Sequence, residues 1–383
     1  MRNRKILVFL VFVIFLGQAL IINAAPEVIK FGTHTAGTGA HMLVSLAAEG
    51  IIESTDILVR CIPSETEAGR ARMAQTGEAD TTAVNSLAAW CLQEGLFEFS
   101  YREWGPQPVR YLWIPQHVGA PMTVRGDSDI YKIEDLRGKR VAYFPGSPSC
   151  HLMNEALLAF GGLTWDDVKA VPQTGPAAAY DAVIKERIDA TFFNLAGSKA
   201  YELESMPCGI RYLEVPPENK EGWKRLKEIA PVMSPRESCV GAGLSEDNCI
   251  YAMSQGYPTF LAWKHLDEEQ AYYITKLLHE SYPVYAEKND SLRIDWTLEK
   301  TLYLFDNDVL PMHEGSVRYF KEIGVWSEER EQENQARIDY QEKLKILWDL
   351  TIKEADEKEI KDDDFPEFWM EKRREAGLWA IDM

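Results

Sequence analysis

The strongest constraint on the fold of this chain is an alternation of apolar runs and small-residue turns that begins at Val28. Val28 to Phe31 is a short apolar run. Phe31-Gly32-Thr33-His34-Thr35-Ala36-Gly37-Thr38-Gly39-Ala40-His41 follows, and Met42 to Ala48 reads as helix. Strand, small-residue turn and helix together point free backbone N–H groups at an anion. Glycines let a ligand approach the backbone closely, and threonine hydroxyls can reach it. No Gly-Lys-Ser/Thr follows, so this is not a Walker A loop, and the G-x-G-x-x-G spacing is absent. A plain βα corner without a ligand is the competing reading. Asp56 to Ile62 reads as a second strand, and Ser64 to Glu67 opens a helix ending near Gly77. Ala79 to Val84 reads as a third strand, with Asn85-Ser86 starting the next helix. Strands alternating with helices predict a parallel sheet, whose ligands collect at the carboxyl ends of the strands. The turns at Thr33 to Thr38, Pro63 to Glu67 and Asn85-Ser86 all fall on that edge.

The same logic recurs. Val109 to Ile114 and Ala120 to Val124 read as extended segments interrupted by Pro115 and Pro121, as in a crossing between two lobes. Ile133 to Tyr143 is a surface turn into a buried strand. It leads into Phe144-Pro145-Gly146-Ser147-Pro148-Ser149-Cys150-His151 and a helix through Phe160. Ala177 to Glu186 reads as helix, Ile188 to Phe193 as strand, with Asn194 at its end. Tyr257 to Trp263 is an apolar return strand. A long helix is predicted from Asp267 to about Ala286 on a helical period, then helices near Trp296 to Phe305 and Ser316 to Ile323. Ser327 to about Glu354 reads as one long helix. Asp362-Asp363-Asp364 breaks it, and Phe365-Pro366 starts a last short one.

The N-terminus carries a basic n-region (Arg2, Arg4, Lys5), an apolar stretch from Ile6 to Ile22, and small residues at Asn23-Ala24-Ala25. This is the pattern of a cleavable signal peptide over residues 1–25, and it implies export. With 60 acidic against 41 basic residues the net charge is −19, which argues against nucleic-acid binding. Six cysteines are present. Cys239 and Cys249, bracketing Val240-Gly241-Ala242-Gly243, are the favoured disulfide pair, though all six could remain thiols. No C-x-x-C occurs, the histidines are scattered, and neither a metal nor a cofactor is expected.

These residues resemble the TAXI-type solute-binding proteins of TRAP transporters over about residues 28–325. The carriers are the opening turn, Thr76-Gly77-Glu78-Ala79-Asp80, Glu134 to Val141, Pro145-Gly146-Ser147, Arg187 to Phe193, and Met312 to Phe320. The resemblance implies an α/β, two-lobed periplasmic binding protein of type II, here with a C-terminal helical extension. Lobe 1 would span 26–118 and 258–325, lobe 2 would span 119–257, and the extension 326–383. It implies a periplasmic monomer that closes on one small carboxylate (amino acid, dicarboxylate or 2-oxoacid) and delivers it to the membrane subunits of a TRAP transporter. Matched ligand contacts are Thr35, Gly37, Thr38, Asn85 and Ser86 in the first lobe, with Ser147, Ser149, Cys150 and Asn194 in the second. Three positions depart from the family pattern. Glu65 to Arg70 replaces a Gly-Gly-Ser-x-x-Asn turn, Ala40-His41 replaces an aromatic pair, and His151 stands where an Arg is common.

Arg70, Arg72 or Arg125 could clamp the carboxylate, and Arg70 begins on the correct edge. Two further readings compete. The same lobes could serve an ABC importer or a sensor kinase. An enzyme could use Cys150 at a helix N-terminus, where a thiol pKa falls. Yet adjacent helical residues point about 100° apart, so Cys150 and His151 do not form a dyad by default. No G-x-S-x-G, H-E-x-x-H or S-x-x-K occurs. No catalytic residue is therefore expected.

Overall fold

The computed structural model describes residues 26–36, 38–116, 119–145 and 147–379. The expected signal peptide, Gly37 and Gly146 lie outside the described residues. Four strands open the chain: β1 (Val28–Thr33), β2 (Leu58–Pro63), β3 (Thr81–Val84) and β4 (Val109–Trp113). Five follow: β5 (Met122–Arg125), β6 (Arg140–Tyr143), β7 (Lys169–Pro172), β8 (Thr191–Phe192) and β9 (Ile210–Leu213). A hairpin, β10 (Ser234–Ser238) and β11 (Ile250–Ser254), precedes the return strand β12 (Thr259–Trp263).

The first sheet has the order β2-β1-β3-β12-β4. Strand β1 is parallel to both neighbours, but β12 is antiparallel to β3 and β4. The sheet is mixed, not parallel throughout as the alternation predicted. The reason is topological: β12 enters from the second lobe and so runs the other way. Strands β3, β4 and β12 are buried at every residue, as strands covered on both faces must be. In the second lobe β5 lies antiparallel between β8 and β9, while β6 and β7 pair in parallel. A bridge from Val141 to Ala190 joins the two ladders. The fold is two-lobed and α/β, as expected.

The chain crosses between the lobes twice, and the crossings lie side by side. Gln116 bridges Gly256, the Tyr257 N–H donates to Pro115 O at 2.8 Å, and Ala120 N–H to Met253 O at 2.9 Å. A two-strand crossing of this kind is a natural hinge.

Several elements differ from expectation. The strand predicted at Ile188–Phe193 shrinks to Thr191–Phe192, because Asp189 and Ala190 both turn their N–H groups onto Arg140 O. The long helix predicted from Asp267 divides into Glu268–Glu280 and Tyr282–Tyr285. Pro283 sits in the first turn of the second piece, where its missing N–H costs nothing, and the first piece ends at Ser281. Strand β9, the β10–β11 hairpin and the helices Ser198–Ser205 and Lys220–Ile229 went unpredicted. Cys239 and Cys249 are disulfide-bonded across that hairpin's loop; Cys61, Cys91, Cys150 and Cys208 are free thiols.

The C-terminal extension is two helices, Glu328–Glu357 and Phe365–Glu375. Ser327 caps the first through its hydroxyl. Its buried positions, Asn334, Gln341, Leu344, Trp348, Thr351 and Ala355, recur at spacings that keep one stripe inward. That stripe packs on the first lobe: Gln341 Nε2 donates to Gln93 Oε1 at 2.6 Å and to Val109 O at 3.0 Å. Among the described residues no helix is long and apolar enough to cross a membrane.

Candidate functional site

Both lobes contribute to a cleft of about 850 Å³. The first lobe supplies His34, Thr35, Thr38, the segment Glu65 to Ala68, Arg70, Phe97, Glu98 and Tyr101; the second supplies Pro145, Ser147 and Pro148. The cleft lies at the carboxyl ends of β1 and β2 and at the turn after β6, where parallel strands deliver ligand-binding loops.

The opening turn is built by local capping. Thr38 is the N-cap of the helix Gly39–Ser54; its hydroxyl accepts from His41 N–H and donates to Thr35 O at 2.8 Å. His41 Nδ1 lies 2.8 Å from the Thr33 hydroxyl, and Ala40 is buried. Thr38 therefore faces the cleft with its hydroxyl already engaged. The Ala40-His41 pair is structural: it ties the helix to the end of β1.

Arg70 is the cation at the base of the cleft. It sits one turn into the helix Glu67–Gln75 and is only 4% exposed. Its guanidinium donates to Ser64 O at 3.2 Å, but its Nε has no hydrogen-bond partner among the described residues. An unmet buried donor carries a cost of roughly 1–3 kcal/mol, which an incoming anion would relieve. Beside it, burial first, then the charges of Arg70 and His41, push the His34 imidazole down to about 3. His34 is thus neutral and stands edge-on to Tyr257 at 5.4 Å. Arg72 and Arg125 are elsewhere. Arg72 stacks on Trp104 at 3.8 Å, and Arg125 pairs with Asp127 and Glu186 on the second lobe. Neither can clamp a ligand in this cleft.

Glu67 links the lobes. Its Oε1 lies 3.4 Å from Ser149 Oγ and 3.4 Å from Asn85 Nδ2. Burial holds the Glu67 carboxyl above its usual range, opposed by Arg70 and those two hydrogen bonds. Ser149 and Asn85 thus meet Glu67, and Asn85 Oδ1 also caps the helix Ser86–Glu94 by accepting from Ala88 N–H.

Ser86 is not on the cleft. It is fully buried against the crossing, its N–H donating to Gly256 O at 3.0 Å. Leu87 N–H goes to Gln255 Oε1, so the first amides of that helix are used by the hinge and not left for an anion. Asn194 Oδ1 accepts from Ala196 N–H at 3.1 Å, which turns it to its own loop. Cys150 is only part-exposed, and burial pushes its thiol up to about 12. That is opposite to what a nucleophile needs. His151 pairs with Glu155 at 3.1 Å and stacks on Trp165 at 5.1 Å, with no bond to Cys150. The Cys-His reading of an enzyme has no geometry behind it.

Sequence reasoning missed the wall formed by Phe97, Glu98 and Tyr101, at and just beyond the 3₁₀ turn Phe97–Ser100. Phe97 has φ +53°, a conformation that a bulky residue adopts only when its surroundings enforce it.

The NMT1-like family model matches residues 40–324. The chain belongs to the NMT1-like family. The chain is also similar to several solved structures. The periplasmic aliphatic sulphonate binding protein SsuA from Escherichia coli is 14% identical, with 84% of this chain and 89% of that one covered and a TM-score of 0.47. The L-cystine solute receptor of Neisseria gonorrhoeae is 14% identical, covering 68% and 92%, with a TM-score of 0.36. A TctC solute binding protein from Polaromonas is 15% identical, covering 70% and 86%, with a TM-score of 0.41. No curated protein sequence matches.

Proposed function

We propose that this NMT1-like protein is an extracytoplasmic solute receptor of the TAXI type. It captures a small carboxylate by lobe closure and delivers it to the membrane subunits of a TRAP transporter. Residues 1–25 act as a cleavable signal peptide that sends it to the periplasm. Residues 26–118 with 258–325 form one jaw, residues 119–257 form the other, and the receptor works as a monomer without catalysis.

The observation that carries this reading is Arg70, a buried guanidinium facing a two-lobed cleft with a donor unmet among the described residues. A ligand carboxylate on Arg70 would meet Thr35 and Thr38 from one lobe and Ser147 from the other. Ser149 and Asn85 would act through Glu67, whose contact with Ser149 couples closure to the site. A charge-assisted bond is worth about 1.5–3 kcal/mol and each neutral one about 1 kcal/mol. Several in a closed site support roughly micromolar affinity. Delivery to a TRAP partner rests on the resemblance of the opening turn and of Met312 to Phe320. Thermal-shift screening of amino acids, dicarboxylates and 2-oxoacids tests the reading. At least one class should raise the melting temperature in a saturable way. Tight binding of a different chemical class, with none of these bound, would overturn it.

A further inference from the structure

The cleft holds more negative charge than a carboxylate receptor needs. Glu65, Glu67 and Glu98 line it against the single guanidinium of Arg70, with His34 neutral. Glu67 is engaged by Ser149 and Asn85. Glu98 is different. No cation lies within ion-pair distance of it among the described residues, and the residues beside it in the lining, Phe97 and Tyr101, are aromatic. Burial pushes its carboxyl up to about 7, opposed by a hydrogen bond to its own backbone and helped by the like charge of Glu67. Arg70 is answered by Glu67 and Tyr257, not by Glu98. The cleft lining thus offers an anion the guanidinium of Arg70 and, on the Phe97–Tyr101 wall, a carboxylate flanked by two rings.

That wall is fastened from behind. The segment from Glu94 to Gly105 carries Phe97, Glu98 and Tyr101, and the C-terminal extension grips it on both sides of them. On one side Trp369 Nε1 donates to Gly95 O at 2.8 Å, and Arg373 donates to Glu94 O at 2.9 Å and to its carboxylate at 2.8 Å. On the other side Arg102 reaches Asp356 at 2.7 Å, Ile360 O at 3.0 Å and Asp362 at 3.0 Å, under the ring of Phe365. Gly105 lies so close against the Trp348 ring that a Cβ there would clash with it. Phe97, at its left-handed φ, lies between the two grips. The extension begins beyond residue 324, where the match to the family model ends.

We propose that the C-terminal extension is a buttress that fixes the Phe97–Tyr101 wall, and that Glu98 on this wall makes the cleft select a monocarboxylate bearing a positively charged nitrogen. The proposal rests on the carboxylate-capture reading. The ligand's carboxylate lies on Arg70 and its ammonium or substituted ammonium lies by Glu98, flanked by the rings of Phe97 and Tyr101. Above pH 7, where Glu98 is ionised, dicarboxylates would set a second anion beside it, where like charges repel, and 2-oxoacids an uncharged carbonyl that leaves it without a cation.

Isothermal titration calorimetry of the mature chain with matched pairs tests this. The probes are aliphatic amino acids against the 2-oxoacids of the same skeletons, glycine betaine, and succinate with 2-oxoglutarate as dicarboxylates. The amine-bearing monocarboxylate should bind at least tenfold tighter than its 2-oxo counterpart and than either dicarboxylate. Glu98→Gln should reduce that ratio to within about threefold while 2-oxoacid affinity changes little. Arg102→Gln, which loosens the wall without touching the cleft, should also reduce the ratio, which a merely structural role would leave alone. Equal or tighter binding of 2-oxoacids or dicarboxylates overturns the selectivity and leaves carboxylate capture standing. A preference unchanged in Glu98→Gln overturns the role of Glu98, and one unchanged in Arg102→Gln overturns the buttress. Absence of binding by every probe overturns both readings.

Discussion

Two buried arginines in this molecule have opposite surroundings. Arg373, in the last helix, is 1% exposed, and its donors are met: by the Glu94 carboxylate, Glu94 O and Trp379 O. Arg70, in the cleft, is 4% exposed with one carbonyl partner and an Nε that nothing among the described residues answers. Burial alone does not separate a structural cation from a functional one. The difference is whether the protein itself satisfies the group. The carboxylates divide in the same way. Glu94 is paired with Arg373 and accepts from Tyr340 at 2.7 Å, while Glu98, four residues on, has no cation within ion-pair distance among the described residues.

The largest expected effect breaks the satisfied side. Arg373→Ala leaves Glu94 buried without its cation and frees the wall above it. Unfolding free energy, by denaturant titration, should fall by about 3–5 kcal/mol. A loss under about 1 kcal/mol would mean that this end of the extension is not firmly docked.

Next comes the unsatisfied side. Arg70→Gln should cost less stability than Arg373→Ala does, because Arg70 has only Glu67 beside it and an Nε unmet among the described residues. Calorimetric affinity for the best carboxylate should fall by about 1.5–3 kcal/mol, tenfold or more. A large loss of stability with affinity intact would reverse the contrast with Arg373.

Glu98→Gln sharpens the comparison through pH. The native carboxyl, held up to about 7, stays protonated where the unfolded one, near 4.5, is already ionised. Its contribution is therefore favourable below pH 4.5 and is lost as pH rises through 7. The variant should be more stable than wild type at pH 8, by on the order of 1–3 kcal/mol, and equal to it at pH 4. Ligand-free melting curves at the two pH values measure this, and a difference that does not depend on pH would contradict it.

The smallest effect belongs to Cys150. Its thiol, pushed up to about 12, should resist alkylation at pH 8, and Cys150→Ala should change affinity less than threefold. Fast modification that abolishes binding would place the thiol in the site.

The sequence made the periodic parts legible. Strand, turn and helix at Val28 to Ser54, the loop closed by Cys239 and Cys249, and the long helix at Glu328–Glu357 all leave local signals. Arg70 was legible too, because it begins on a predicted turn at a strand's carboxyl end. Several of the polar residues singled out also serve the backbone, Thr38 while still facing the cleft. Thr38 caps a helix, Ser86 packs on the hinge, and Asn194 closes its own loop. The Phe97–Tyr101 wall was not legible, since it has no periodic pattern. Its shape comes from contacts with residues more than 250 positions later, such as Asp356 and Ile360 on Arg102. The direction of β12 was hidden for a similar reason: it depends on how the chain returns from the second lobe.

A crystal structure of the receptor with its tightest-binding carboxylate tests the central claim most directly. The account predicts the ligand between the lobes, its carboxylate within hydrogen-bond distance of Arg70 and its other end by Glu98. A ligand seated instead in the roughly 520 Å³ cavity under the extension, among Trp104, Arg110 and Trp348, would contradict it.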